Sequence, residues 1–236
     1  QDRIPSVAAF QLPFLFTDYD QARAALYEGD YGYQLIGDVA SLGFTVNGIV
    51  PDGFRVMTMN KKVESLADMH GLKMRMPNLE IMVEIGNYLG FAVTPMSMTE
   101  VFSALEQGVI DGQENPPSTI RSQGWYEIQD YLLVSNHVFT SLFLCVNNDF
   151  YNSLDSELQN ILDEVIDETC AQIWDTAQTQ AQEDLDYMSS EGGIEVYEPS
   201  DSFRQEMVEA TAPMYDNMYE TAPEVEEVIN AIQAIQ

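Results

Sequence analysis

Cysteine, histidine and positive charge are all scarce in this sequence. Of 236 residues, two are cysteine and two histidine, and nine Lys and Arg stand against 39 Asp and Glu, a net charge of −30. A chain so poor in cations repels a phosphate backbone instead of displacing its counterions, which excludes nucleic acid as a partner. His70 and His137 lie far apart with no cysteine or second histidine at ligand spacing, so no metal and no cofactor is assigned, and each is read as a turn or surface residue. Cys145 sits in an apolar run and Cys170 on the apolar side of a helical pattern, settings that hold inert buried thiols, and no disulfide is expected between them. No stretch approaches the roughly 18–20 consecutive apolar residues of a membrane-spanning helix, and no charged start leads into an apolar segment as in a signal peptide. A phosphate-cradling glycine loop, a serine nucleophile elbow and a His-Glu-x-x-His helix are also missing.

What is present is a globular composition, 45% hydrophobic, in a chain long enough for one large domain or two lobes. The few cations are clustered. Arg55, Lys61, Lys62, Lys73 and Arg75 fall within 21 positions, whereas residues 122–236 hold only Arg204. The two adjacent lysines read as a solvated turn. Arg55 and Arg75 lie in strand contexts, which favours an anion site over pairing with neighbouring acids.

Local signals order the rest. Thr17 with Asp20 resembles a capping box ahead of helices near 18–28 and 30–41. Strands are predicted at 44–50 and 54–59 on either side of a Pro51-Asp52-Gly53 turn. From Ser65 helices and strands alternate. A brief helix ends at Gly71, a strand covers 72–76, and Asn78 caps a helix to Leu89. A strand follows at 91–94, and Ser97 with Glu100 opens a helix whose buried face is Val101, Phe102, Ala104 and Leu105. Such alternation gives an α/β fold with a parallel or mixed sheet. Over residues 154–189, Leu154, Leu158, Ile161, Leu162, Val165, Ile166, Cys170, Ile173, Trp174 and Ala177 recur at helical spacing, predicting one helix long enough to brace two lobes. A short strand at 194–197 precedes an acidic helical tail packed through Phe203, Met207, Tyr215 and Tyr219.

Several segments then carry a resemblance. Leu12-Pro13-Phe14-Leu15-Phe16, Gly53-Phe54-Arg55, Gly71-Leu72-Lys73-Met74-Arg75-Met76-Pro77-Asn78 and Asp111-Gly112-Gln113-Glu114-Asn115-Pro116 stand in an order and spacing similar to the solute-binding proteins of tripartite ATP-independent periplasmic (TRAP) transporters, dicarboxylate-binding DctP type. The resemblance implies a two-lobed periplasmic-binding-protein-like clamp with mixed sheets. It implies capture of an organic-acid anion, delivery to small and large permease membrane subunits, a periplasmic or extracytoplasmic location, and a monomer that is not an enzyme. It also implies that Arg75 pairs with the substrate carboxylate and that Arg55 and Asn115 line the cleft. A planar guanidinium suits that task, because two parallel N–H donors match two carboxylate oxygens. Asn115, held extended before Pro116, offers both a donor and an acceptor.

Departures from the family pattern bear on the substrate. Met98 stands where an aromatic often covers the ligand, and Pro51-Asp52 replace a more usual polar pair. The match begins inside the family pattern, so residues 1–50 are expected to be the remainder of a first lobe, 51–140 mainly the second lobe with the ligand-binding strands, and 141–236 a crossover strand, the bracing helix and the tail. Two other functions remain open at this stage: a ligand-sensing clamp uncoupled from transport, and an enzyme acting on a small organic acid.

Overall fold

A computed structural model describes residues 5–37 and 39–235. In chain order its first half comprises α1 (Tyr19–Arg23), α2 (Tyr31–Ile36), β1 (Phe44–Phe54), β2 (Val56–Met59), α3 (Leu66–Met69), β3 (Lys73–Met76), α4 (Glu80–Tyr88), β4 (Ala92–Pro95), α5 (Val101–Glu106) and β5 (Gly112–Asn115). The second half continues with α6 (Pro117–Gln123), β6 (Tyr131–Leu133), β7 (Phe139–Asn147), α7 (Asn148–Ser153), α8 (Ser156–Ser190), β8 (Glu195–Tyr197), α9 (Asp201–Thr211), α10 (Pro213–Thr221) and α11 (Glu226–Gln233).

The strands form two sheets. Six run in the order β4-β3-β5-β2-β6-β8, with β3 parallel to β4 and β5, β6 parallel to β8, and β2 antiparallel to both its neighbours. The other sheet is a ribbon of only β1 and β7, paired antiparallel. The chain passes between the sheets three times, at Arg55, at residues 134–138 and through α7 and α8, and the first two passages are tied by the Arg55 N–H donating to the Val138 carbonyl at 2.8 Å. Because side chains alternate along a strand, the six-stranded sheet feeds two cores. Met57, Met59, Met74, Met76 and Leu133 enter one, while Val56, Leu132, Ile120 and Trp125 enter the other.

Helix α8 is the brace its periodicity predicts. Its 35 residues span about 50 Å at 1.5 Å per residue. Ile166 and Cys170 pack beneath the ribbon, the Trp174 indole N–H donates to the Ile49 carbonyl at 2.9 Å, and Met188 lies in the second core of the larger sheet. One helix therefore contacts both sheets.

Several local expectations are corrected. Asp18, and not Thr17, caps α1 by accepting from Gln21 N–H. The segment read as a helix over 18–28 shifts to a π turn after Arg23, and that over 30–41 stops at Ile36, with Asp38 outside the described residues. Pro51-Asp52-Gly53 is no turn but part of an 11-residue strand that accommodates it with a register shift. Helix α4 starts at Glu80 without a side-chain cap, so Asn78 is not its cap. Phe102, Leu158, Ile161 and Val165 are exposed, and so is Cys145, whereas His137 is fully buried. In each case periodicity or composition identifies the element, but neighbouring layers decide which stripe is covered. Both cysteines are free thiols. No described helix is long and apolar enough to cross a membrane.

Candidate ligand site at the strand ends

Strands β3, β4 and β5 are parallel, and β2 runs against them, so the carboxyl ends of the first three and the amino end of β2 share one edge of the sheet. Crevices at such edges are where open α/β sheets receive ligands. Here that edge is also where the chain crosses to the ribbon. Arg75, Asn115 and Arg55 all come to it, and Met98 stands exposed just past the exit of β4. A Ser97–Glu100 capping box fixes the backbone beside Met98.

The two arginines differ in their partners. Arg55 Nε donates to Glu114 Oε2, and its Nη2 donates to Glu114 Oε1 and to the Glu114 carbonyl, both at 2.9 Å. This two-pronged pair is buried, which corrects the expectation that Arg55 is free of acidic partners. Burial pushes the Glu114 carboxyl up, but Arg55 and His137 outweigh it and hold the carboxyl below the usual carboxylate range. His137 Nε2 lies 3.4 Å from Glu114 Oε2, and its Nδ1 is 2.8 Å from the Ser135 hydroxyl. The positive charge of Arg55 is thus answered within the protein.

Arg75 has no such counterion. It is 3% exposed, yet no carboxylate among the described residues lies within ion-pair distance of it. Its Nε and Nη2 donate to the Met96 carbonyl at 3.1 and 2.9 Å, which fixes the plane of the guanidinium, while no described residue accepts from Nη1. Burial pulls its pKa down, Glu114 pushes it up, and Arg55 lowers it again, so the three charges sense one another.

Asn115 is also set in place. It shares a face with Gln113, which lies opposite Arg75 on one side and Thr58 on the other. The Gln113 amide donates to the Thr58 hydroxyl at 3.0 Å, and Gln113 Oε1 accepts from Asn115 Nδ2 at 2.8 Å. Asn115 is left with its carbonyl oxygen and one N–H.

Glu114, Gln113 and His137 had no role assigned from sequence. A signal for the first was available, because alternation puts Glu114 on the face opposite Asn115, against the methionine core, where a carboxylate requires a cation. The cation itself lies 59 positions away, just ahead of a strand whose register against β5 is not written in the sequence. An apolar groove of ≈ 920 Å³ opens elsewhere, between the ribbon and α10. It is lined by Val46, Phe143 and Met214 with Glu80 and Glu84 but no Lys or Arg, so it suits an anion poorly.

A family model described as bacterial extracellular solute-binding protein, family 7 (DctP) matches residues 1–222. The C4-dicarboxylate-binding periplasmic protein DctP of Rhodobacter capsulatus is 30% identical over 211 residues, covering 89% of this chain and 63% of that protein. A TRAP periplasmic solute-binding protein from Haemophilus influenzae, solved with L-gulonate, is 31% identical with a TM-score of 0.87, over 98% of this chain and 76% of the other. One from Shewanella oneidensis, solved with succinate, gives 26% identity and a TM-score of 0.90 over 99% and 76%. The chain thus spans about two-thirds of the length of the curated relatives it matches, 63% in the dicarboxylate-binding case. The mixed α/β architecture is that of the two-lobed clamp in these structures.

Proposed function

Because the chain belongs to the bacterial extracellular solute-binding proteins of family 7, we propose that it captures an organic-acid anion by clamp closure and delivers it to the small and large membrane subunits of a TRAP permease, acting in the periplasm. The strand ends between residues 51 and 140 hold the ligand, and α8 braces the two lobes. The observation that supports this best is Arg75: a buried guanidinium with a fixed plane, an unanswered charge and an open Nη1 edge, in a chain of net charge −30. The long-range field repels an anion, so affinity has to come from local, partly desolvated donors. Arg55 supports the cleft through Glu114 instead of meeting the carboxylate with a free fork. A carrier role is favoured over catalysis because Glu114, the buried carboxylate at this edge, is engaged by Arg55.

A thermal-shift panel of organic acids on the full chain, followed by calorimetry with the best binder, tests this. Arg75→Ala weakens binding by roughly 30- to several-thousand-fold, the equivalent of about 2–5 kcal/mol, with the fold retained. Arg75→Lys keeps the charge and loses the fork, so its loss approaches that of alanine. A folded Arg75→Ala protein that binds within about threefold of the parent removes Arg75 from the site.

A further inference from the structure

Asp52 is the bulged residue of β1, at the register shift between Pro51 and Gly53. Bulges re-aim side chains and are common beside active sites. This one is locked in place. Gly53 has φ +111°, and a Cβ there would lie 2.7 Å from the Tyr19 hydroxyl, so only glycine passes. The bulge delivers Asp52, half-buried, three residues ahead of Arg55 at the crossing between the sheets. No described residue donates a hydrogen bond to its carboxylate or pairs with it at ion-pair distance, although it senses Arg55. Burial pushes the carboxyl up and the Arg55 charge pulls it back.

The charges at this edge then divide simply. Arg55 and Glu114 cancel, leaving one open guanidinium edge at Arg75 and one unanswered carboxylate at Asp52. Asn115, one of whose two Nδ2 hydrogens goes to Gln113, adds a carbonyl oxygen and one N–H. We propose, building on capture of a carboxylate by Arg75, that Asp52 is a specificity-determining residue that accepts hydrogen bonds from ligand hydroxyls, so that the anion held is a polyhydroxylated monocarboxylate of the sugar-acid type and not a plain dicarboxylate. Such an acid brings one carboxylate to Arg75 and several hydroxyl donors to Asp52 and Asn115. A dicarboxylate brings a second negative charge and no donor, leaving the acceptors unsatisfied.

Calorimetric titration of the full chain with D-gluconate and with succinate decides it, repeated on Asp52→Ala and Asp52→Asn. The parent binds gluconate at least about tenfold tighter than succinate, the scale of a charged hydrogen bond. Asp52→Ala lowers that ratio by about tenfold or more, losing gluconate affinity while gaining succinate affinity as like charge is removed. Asp52→Asn keeps an acceptor oxygen, so it gains on succinate and retains part of the gluconate affinity. A purely structural role moves both ligands in parallel and lowers the melting point without ligand. A parent that prefers succinate, or variants that leave the ratio within about threefold of the parent, overturns the role of Asp52 and leaves capture by Arg75 standing. A parent that binds neither acid also overturns it, and the Arg75→Ala comparison on the acid panel alone then decides the proposed function.

Discussion

The six-stranded sheet and the two-stranded ribbon put opposite residues in unusual places. In the larger sheet every residue of β2 and β5 is buried, and among them are Thr58, Gln113, Glu114 and Asn115. In the ribbon, Leu142 of β7 is 53% exposed, and on α8, which packs under the ribbon through Ile166 and Cys170, Leu158, Ile161 and Val165 lie on the surface. Burial of polar groups is tolerated where neighbours on both sides supply partners, as Arg55 does for Glu114 and Thr58 for Gln113. Two strands and one helix cannot cover both faces of a ribbon in the same way, and these apolar side chains stay about half exposed. What separates the regions is the number of layers around them and not the polarity of their strands, since the polar β5 is fully buried while the apolar β7 leaves Leu142 on the surface.

Breaking the polar side of this comparison has the largest expected effect. Glu114→Ala leaves the Arg55 guanidinium, 7% exposed, without its counterion. Removing one member of a buried pair costs about 3–5 kcal/mol, so chemical denaturation detects a loss of that size. Glu114→Gln keeps the shape and one acceptor and loses less. A change below about 1 kcal/mol for the alanine variant means the pair is not buried in solution.

Acid sharpens the same contrast with a smaller effect. The Glu114 carboxyl is held below its ordinary value in the folded protein, so the folded state binds its proton less readily than the unfolded state. Its contribution to stability is fully present above the unfolded pKa and is lost as pH falls through the folded one. Melting points measured from pH 7 downward therefore decline below the ordinary carboxylate range, and Glu114→Gln shows a shallower decline than the parent. Equal slopes refute the linkage.

The legible and illegible parts of the sequence divide along the same line. The position of Arg75 and Asn115 at strand ends was readable because each sits where a short strand meets a proline-marked exit, a local signal, while their part in the ligand site came from the family resemblance. The engagement of Arg55 was not, since it depends on β2 lying beside β5 in one register. Likewise the length of α8 follows from periodicity, but its exposed stripe follows from which layers reach it. Pro51-Asp52-Gly53 has turn chemistry, and tertiary context overrides it because β1 must continue from the ribbon to the sheet crossing. His137 carries no local mark of burial; its surroundings are Ser135 and Glu114, the second from a distant strand.

The smallest expected effect lies on the apolar side. Leu158, Ile161 and Val165 fall at spacings of three and four on α8, so they share one stripe, and that stripe is turned away from Ile166 and Cys170. Replacing an exposed side chain removes little packing, and glutamine is among the better helix formers. Ile161→Gln with Val165→Gln therefore changes unfolding free energy by no more than about 0.5 kcal/mol per site. The contrasting change, Ile166→Ala one position further on, costs about 2–5 kcal/mol because it empties space beneath the ribbon. An exposed apolar stripe also promotes association between copies, despite their mutual repulsion at −30, and the more so as salt screens that charge. Light scattering of the double variant in molar sodium chloride accordingly shows less self-association than the parent. Should the double glutamine variant instead lose stability on the scale of Ile166→Ala, the stripe is covered in solution and the ribbon is as closed as the larger sheet.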